Sequence, residues 1–159
     1  MKIIEVNRDE IDSIKTLWES LNAHHLAKST HFKSHFSEFT FEKRMAALNK
    51  RDRLIVYVAE YKNENIGYCI ASVDGLIGEI DSLFIKTEYR SQGVGEELMI
   101  LALQWLEKQN CETIRVSIAE GNENALNFYR RFGFMERLVV MQRTHNQEMH
   151  PIGTKTVMG

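Results

Sequence analysis

Hydrophobic residues near the start of the chain first form a short apolar run and then recur at helical spacing. The apolar residues Ile3, Ile4 and Val6 predict a short strand over residues 2–6. The helical spacing that follows predicts a long amphipathic helix over about residues 10–27. A second helix is predicted over residues 41–48, because Thr40 is a favourable N-cap residue. The N-terminal part of the chain is therefore predicted to contain one strand and two helices.

The middle of the chain has the pattern of a β-hairpin followed by a central strand. Residues 53–62 and 66–74 alternate between apolar and polar positions, and the polar residues 63–65 separate them. After Gly75–Gly78 a further strand begins at Glu79. The hairpin is therefore expected to continue as an antiparallel meander into this strand.

A glycine-containing loop separates that strand from an amphipathic helix over residues 94–106. The loop reads Arg90-Ser91-Gln92-Gly93-Val94-Gly95. Its glycines permit a sharp turn and a close approach of the backbone to a ligand, where the helix dipole is positive. Unpaired N–H groups at such a point bind anions, and a pyrophosphate suits them. A turn without a ligand is the alternative interpretation.

The residues after the glycines distinguish three kinds of phosphate-binding loop. A Walker loop requires Lys followed by Ser or Thr, whereas Glu96 and Glu97 follow Gly95 here. A dinucleotide fingerprint requires a third Gly at the position that Leu98 occupies. The pattern that remains is Arg-x-x-Gly-x-Gly.

A second motif lies further along the chain. Residues 113–134 predict a strand, a polar turn and a short helix that ends before Gly133. This stretch contains Asn122-x-x-Ala125-x-x-Phe128-Tyr129, followed by Phe132-Gly133-Phe134. On their own, Asn122 is a candidate helix N-cap and Tyr129 a candidate core aromatic. Residues 134–143 predict one more strand.

The two motifs, in this order, resemble those of the Gcn5-related N-acetyltransferase (GNAT) family. The resemblance covers about residues 1–143 and is specific over 79–134. It implies an α/β (α+β) fold in which a central mixed, mostly antiparallel, twisted sheet of six to seven strands is flanked by about four helices. The family usually ends with two strands, whereas residues 144–159 form a polar tail. The last strand is expected to be absent, very short or supplied through a homodimer contact.

The resemblance implies acetyl-coenzyme A as the acetyl donor. In the family, backbone N–H groups of the loop hold the coenzyme pyrophosphate, and the splayed strand before the loop leaves an N–H free to meet the reacting oxygen. An Asn of the second motif contacts the pantetheine arm. The matching positions in this chain are Leu83, Phe84, Ile85, Arg90, Ser91, Gln92, Gly93, Val94, Gly95, Glu96, Asn122, Ala125 and Phe128.

The resemblance also implies catalytic roles. Tyr129 would give its proton to the departing thiolate of the coenzyme. Glu79 or Asp81 would accept a proton from the acceptor amine, and Glu79 acting through water is slightly favoured. Either acid is equally explained as a solvated strand end. Some members carry the base as a Glu in the next strand, where this chain has Ser117, with Glu120 in the turn beyond, so the base stays open.

Four histidines lie within residues 24–35, which raises the question of a metal site. His31 and His35 have helical spacing, but no Cys or carboxylate stands at a ligand-like interval from them. No metal is therefore expected. In the family this region forms a wall of the acceptor pocket, and the alternative is a solvent-exposed loop.

Length and charge restrict the class of protein. The 159 residues suit a single domain, with a core over about residues 1–143. The net charge of −2 predicts no nucleic-acid or membrane partner, and no apolar run is long enough to span a membrane. Cys69 and Cys111 lack metal or disulfide spacing, which favours free thiols in a reducing compartment and a cytoplasmic protein.

The sequence therefore predicts an N-acetyltransferase. It would move the acetyl group of acetyl-coenzyme A to a primary amine, by direct attack in a ternary complex. The acceptor would be a small molecule or a peptide amine. A coenzyme A binding regulator without turnover is the alternative function.

Overall fold

The structure, a computed structural model, describes residues 1–144. Within that range it has five strands and five α-helices. The strands are β1 (Lys2–Val6), β2 (Arg53–Tyr61), β3 (Glu64–Asp74), β4 (Ile77–Ile85) and β5 (Thr113–Val116). The helices are α1 (Lys15–Lys28), α2 (Lys33–Glu38), α3 (Phe41–Leu48), α4 (Val94–Glu107) and α5 (Ala125–Arg130).

The strands form one mixed sheet in the order β1-β2-β3-β4-β5. The first four strands pair antiparallel, and β5 runs parallel to β4. The β2–β3 hairpin turns through Lys62 and Asn63, whose φ angles of 51° and 62° are those of a tight turn with left-handed residues. The connection from β4 to β5 must cross over the sheet, and α4 lies in it. The mixed, mostly antiparallel sheet predicted from the sequence is confirmed.

Helices cover both faces of the sheet and enclose two hydrophobic clusters. On one face, residues of α1 and α3 such as Trp18 and Met45 pack against β2 and β3. On the other face, residues of α4 such as Leu98 and Ala102 pack against β2, β3 and β4. The Thr40 hydroxyl accepts a hydrogen bond from the backbone N–H of Lys43 at 3.2 Å, which caps α3 as predicted.

A β-bulge changes the direction of side chains in the middle of β4. Ile80 pairs with Ala71, but Ser82 pairs with Ile70, so that Asp81 is the extra residue. As a result Ile80 and Leu83 share the α4 face, although they are separated by an odd number of positions. The side-chain alternation of a regular strand therefore does not run through the bulge.

The C-terminal end of the described chain corrects one prediction. Residues 134–144 form no strand, where the sequence predicted one over 134–143. A strand needs a neighbour to satisfy its backbone groups, and the sheet of residues 1–144 ends at β5. The apolar run that suggested a strand is largely exposed, with Val139 at 86% and Met141 at 92%. The described sheet thus has five strands rather than six or seven, and residues 145–159 of the predicted tail lie outside the described range.

The N-terminal helices also differ from the prediction. Residues 8–14 form a 3₁₀ helix, and the α-helix begins only at Lys15. The His- and Phe-rich stretch contains the additional short helix α2.

Both cysteines are free, and Cys69 is buried. No helix within residues 1–144 is both long and apolar enough to cross a membrane.

Candidate active site

The glycine loop turns the chain from β4 into the N-terminus of α4. Gly93 is the N-cap position, with a φ of 82°, and Ser91 also has a positive φ of 64°. A glycine is needed at position 93 because side-chain residues rarely adopt this backbone conformation. The first N–H groups of α4 have no partner within the helix and coincide with its positive dipole end. The loop therefore lies at the N-terminus of a helix, as the sequence predicted.

Side chains of the loop fix its shape. The Arg90 Nε donates to the Ile85 carbonyl at 2.9 Å, and the guanidinium lies 5.5 Å from the centre of the Phe84 ring. The Gln92 amide donates to the Glu88 carbonyl at 3.2 Å. These contacts hold the loop against the end of β4, and residues 90–93 are exposed to solvent.

The edge of β4 is open next to this loop. The short strand β5 pairs with β4 only as far as Val116, opposite Ile80. The Lys86 N–H binds the Ile66 carbonyl of β3. Because N–H groups point to alternate sides along a strand, those of Leu83 and Ile85 point away from β3, toward the gap that β5 leaves. Within residues 1–144, two backbone donors therefore face the gap where the sheet splays.

The second motif lies across this gap. The ring of Phe128 is 3.6 Å from the position that a Cβ on Gly95 would occupy, so α5 packs directly on the first turn of α4. The helix α5 begins at Ala125 with Asn124 as its N-cap position. The interpretation of Asn122 as the helix N-cap is therefore wrong, and Asn122 instead lines a cavity.

That cavity has a volume of about 380 Å³ and lies at the junction of β4, β5, α1, α2 and α5. Asp81 and Leu83 reach it from β4, and Asn122 and Tyr129 reach it from the second motif. Glu79 does not line it. A second cavity of about 370 Å³ lies beside the loop and is lined by Lys86 and Arg90 among others.

The two carboxyl groups of β4 have opposite environments. Glu79 is held by Arg115, whose Nε is 2.8 Å away, and by Arg51 at 3.3 Å. Burial alone would raise the pKa of Glu79, but the adjacent Asp81 and the two guanidinium groups outweigh it and hold the pKa below its usual range. Glu79 is therefore ionised and already paired.

Asp81 lacks such partners. Its side chain is fully buried, the nearest guanidinium is 3.8 Å away on Arg51, and neither of its oxygens makes a well-aligned hydrogen bond within residues 1–144. Burial, together with the charge of Glu79, raises the pKa of Asp81 to about 7. Asp81 is therefore poised to exchange a proton near neutral pH.

Tyr129 extends into the cavity from α5. Its ring makes edge contacts with Phe128 and Phe134, at centroid distances of 5.2 and 6.0 Å. Burial raises the pKa of the Tyr129 hydroxyl above its ordinary value, with Cys69 adding to the shift. The hydroxyl therefore carries a proton at neutral pH.

The His- and Phe-rich stretch forms the wall opposite Asp81. His35, Phe36 and Phe39 line the cavity together with His25 of α1. Burial and the neighbouring His24 lower the pKa of His25. Within residues 1–144 the structure contains no group of three His, Cys, Asp or Glu side chains that could hold a metal.

Glu120 is a site residue whose role the sequence analysis missed. Its carboxylate accepts hydrogen bonds from the Ser29 hydroxyl and from the backbone N–H groups of Thr30 at 2.8 Å and His31 at 3.0 Å. It thereby ties the β5–α5 turn to the connection between α1 and α2. No sequence signal identifies such a contact, because its partners are about 90 residues apart.

Fold and site together define a mixed α/β protein in which an open strand edge runs between a glycine loop at a helix N-terminus and a cavity. The chain belongs to the acetyltransferase (GNAT) family, whose sequence model matches residues 18–134. The family predicted from the two motifs is confirmed.

Two curated relatives are uncharacterized N-acetyltransferases of Methanocaldococcus jannaschii. One is 24% identical over 87% of this chain and 62% of its own length. The other is 35% identical over 51% of this chain and 53% of its own length. The chain thus spans little more than half the length of the curated relatives that it matches.

Solved structures of similar fold include aminoglycoside acetyltransferases. One, from an uncultured soil metagenomic sample and in complex with sisomicin, has a TM-score of 0.67 at 19% identity and covers 91% of this chain and 96% of its own. The aminoglycoside N-acetyltransferase AAC(6')-Iy in complex with coenzyme A has a TM-score of 0.63 at 17% identity and covers 91% and 100%. The BH1408 protein of Bacillus halodurans has a TM-score of 0.71 at 15% identity and covers 90% and 99%. At these identities the likeness establishes the fold.

Proposed function

We propose that the protein transfers the acetyl group of acetyl-coenzyme A to a primary amine on a small molecule. The observation that carries this proposal is the open edge of β4, which joins the anion-binding loop at one end to the cavity with Asp81 and Tyr129 at the other. Family membership supports the reaction class. The coenzyme A complex of AAC(6')-Iy supports the donor, and the sisomicin complex supports a small-molecule amine.

The coenzyme would bind along this edge. Backbone N–H groups of the loop at Gly93–Gly95 would hold the pyrophosphate at the N-terminus of α4. The pantetheine arm would follow the unpaired edge of β4 toward the cavity, where Asn122 is available to it. The thioester would then lie beside the N–H groups of Leu83 and Ile85.

The acceptor amine must lose a proton before it attacks. For an amine with a pKa near 10.4, the neutral form costs about 4.6 kcal/mol at pH 7. Asp81 is the carboxyl group better suited to this task, because the residue belongs to the cavity lining and has a pKa of about 7. Its carboxyl oxygens are buried, so the proton would reach them through a bound water. Glu79, which the sequence analysis slightly favoured, is instead paired with two arginines. In this proposal the charge of Glu79 raises the pKa of Asp81, so that its ionised form is a stronger base than an ordinary carboxylate.

The acyl transfer itself needs two further groups. The amine nitrogen attacks the thioester carbon, and the developing oxyanion is met by a backbone N–H of Leu83 or Ile85, worth about 3 kcal/mol in the transition state. The carbon–sulfur bond then breaks, and the Tyr129 hydroxyl gives its proton to the departing thiolate. The ammonium proton taken by Asp81 returns to solvent, and the second nitrogen proton, released as the amide forms, restores the Tyr129 hydroxyl.

Two measurements test the proposal, namely coenzyme A binding by calorimetry and thiol release from acetyl-coenzyme A in the presence of amines. Gly93→Ala should weaken coenzyme binding, since it strains the loop. Gly75→Ala is the matched control, because Gly75 also has a positive φ, of 60°, and open space around its Cβ position, but it lies in the β3–β4 turn. The control should lose similar stability and keep coenzyme binding.

The outcomes separate the two candidate functions. Binding with turnover of any primary amine supports the enzyme. Tight binding without thiol release from any amine would favour a coenzyme A binding regulator and contradict the enzymatic proposal. Equal coenzyme affinity in the Gly93 variant and its control would contradict the proposed binding loop.

A further inference from the structure

The acceptor side of the cavity is built largely from flat rings. His35 stacks on Phe39 with a centroid distance of 5.2 Å and an interplanar angle of 29°. His25 lies 5.4 Å from Phe36, and Trp18 meets Phe39 edge-on at 5.6 Å. All five rings line the same cavity. A flat apolar group bound here would contact ring faces and edges rather than polar side chains.

The charges around the cavity are few. Among the described residues that line it, Asp81 is the single acid and Arg44 the single strong base. The Arg44 Nη2 donates to the backbone carbonyl of Asp81 at 2.9 Å, so a guanidinium is bound to the residue that carries the one carboxyl group. A polyamine or aminoglycoside would bring further ammonium groups toward Arg44 and away from any carboxylate, which costs affinity.

The size of the cavity also limits the acceptor. Its volume of about 380 Å³ lies near the lower end of the range of about 300–1,000 Å³ for ligand sites. Leu83, Asn122 and Tyr129 are part of the same lining, so the acetyl-thioester end of the donor must share this space. The room left for the acceptor suits one ring-sized group and a short arm.

We infer that the acceptor is a small monoamine with a flat apolar or aromatic body, docked against the rings of α1 and α2 with its amino group toward Asp81. This inference rests on the proposed function and narrows its substrate class. It separates this chain from the aminoglycoside acetyltransferases that share its fold, because the lining described here offers a polycation a single carboxyl group.

Thiol release from acetyl-coenzyme A, measured with four amines, tests the inference. The amines are 2-phenylethylamine, n-butylamine, spermidine and kanamycin. We expect kcat/KM for 2-phenylethylamine to exceed that for n-butylamine by about 10-fold or more, the effect of burying one side-chain-sized apolar group. Spermidine and kanamycin should be poorer than either monoamine.

A pair of variants locates the effect. Phe36→Leu removes a cavity ring and should reduce the ratio between the two monoamines, whereas Phe32→Leu, on a partly buried residue outside the cavity lining, should leave the ratio unchanged. Using the ratio cancels losses that act on both amines alike. The wild-type comparison needs no variant and stands if Phe36→Leu does not fold.

Each outcome has one meaning. Preference for spermidine or kanamycin, or equal kcat/KM for the two monoamines, overturns the inference while the acetyltransferase function stands. An unchanged ratio in Phe36→Leu overturns the proposed position of the ring. Failure of every amine to release thiol, with coenzyme A still bound in calorimetry, overturns the proposed function and the inference with it.

Discussion

The buried carboxyl group of Asp81 should make the protein less stable as the pH rises. Its pKa is about 7 in the folded protein and 3.8 as the ordinary value. Between these two pH values the folded state binds more protons than the unfolded state. The free energy of unfolding therefore decreases as the pH rises. The stabilising effect of the protonated group is full below about pH 4 and is lost by about pH 7. Replacing Asp81 with Asn, which cannot ionise, removes this dependence.

The magnitude follows from the pKa difference. One pKa unit corresponds to about 1.36 kcal/mol, so ionisation of Asp81 lowers the free energy of unfolding by about 4 kcal/mol in total. Part of this decrease takes place below pH 5, because Asp81 is already ionised in the unfolded chain at that pH. The free energy of unfolding should fall by about a further 2–3 kcal/mol between pH 5 and pH 8. At pH 8 Asp81→Asn should therefore be more stable than the wild type by several kcal/mol, provided that the amide packs as the protonated acid does.

Urea unfolding followed by circular dichroism at pH 5, 6, 7 and 8 measures this dependence. Asp12→Asn is the control, because Asp12 is an exposed acid and its loss changes the net charge by the same amount. The free energy of unfolding of the control should follow the wild type across this range. The free energy of unfolding of Asp81→Asn should instead lack this decrease, so that it exceeds the values of the wild type and the control by a growing margin as the pH increases.

Two results would refute the reasoning. Parallel profiles for the wild type and Asp81→Asn would show that Asp81 titrates normally in the folded protein. A stable Asp81→Asn variant that retains wild-type kcat at pH 8 would exclude Asp81 as the base. The proposal requires the variant to gain stability and lose acetyl transfer together.

Three further predictions concern single residues. Tyr129→Phe should lower kcat by about 10²–10⁴-fold and leave coenzyme A affinity unchanged in calorimetry, because the ring keeps its aromatic contacts while the acid is lost. Glu120→Gln should raise KM for the acceptor more than KM for acetyl-coenzyme A in steady-state assays, since it weakens the hydrogen bonds that hold the connection between α1 and α2. Equal effects on both KM values would contradict this role. Gly121→Ala should lower the free energy of unfolding in urea by more than backbone strain alone, which costs about 1–2 kcal/mol, because the new Cβ would lie 2.3 Å from the Lys28 carbonyl oxygen. The control Gly75→Ala, whose Cβ would meet no neighbour, should show the cost of backbone strain alone.

The elements with a local signal were predictable from the sequence. The alternation in β2 and β3, the capping Thr40 and the glycines at 93 and 95 each act through their immediate neighbours, and the structure places the loop at the start of α4 as predicted. The strand predicted over 134–143 was wrong for a related reason. Its apolar residues satisfy the local pattern of a strand, but pairing depends on a neighbouring strand that the local pattern does not report.

The site was only partly predictable. The two motifs indicated the glycine loop, Asn122 and Tyr129 as site candidates. The choice between Glu79 and Asp81 depends on Arg51 and Arg115, which approach from other elements. The bulge at Asp81 adds to the difficulty, because the side-chain direction beyond it cannot be read from a period of two. Electrostatic partners distant in sequence therefore decide which carboxyl group is free.

The hydrogen bonds of Glu120 have a consequence for synthesis of the chain on the ribosome. Ser29 precedes Glu120 by 91 residues. At about 5–20 residues per second, the His- and Phe-rich wall of the cavity is therefore synthesised roughly 5–20 s before the carboxylate that binds it. During that interval its aromatic side chains are present without the second motif that faces them. Nascent chains that stall before position 120 should therefore expose these rings to chaperones, and chains released beyond residue 134, which include the second motif, should not.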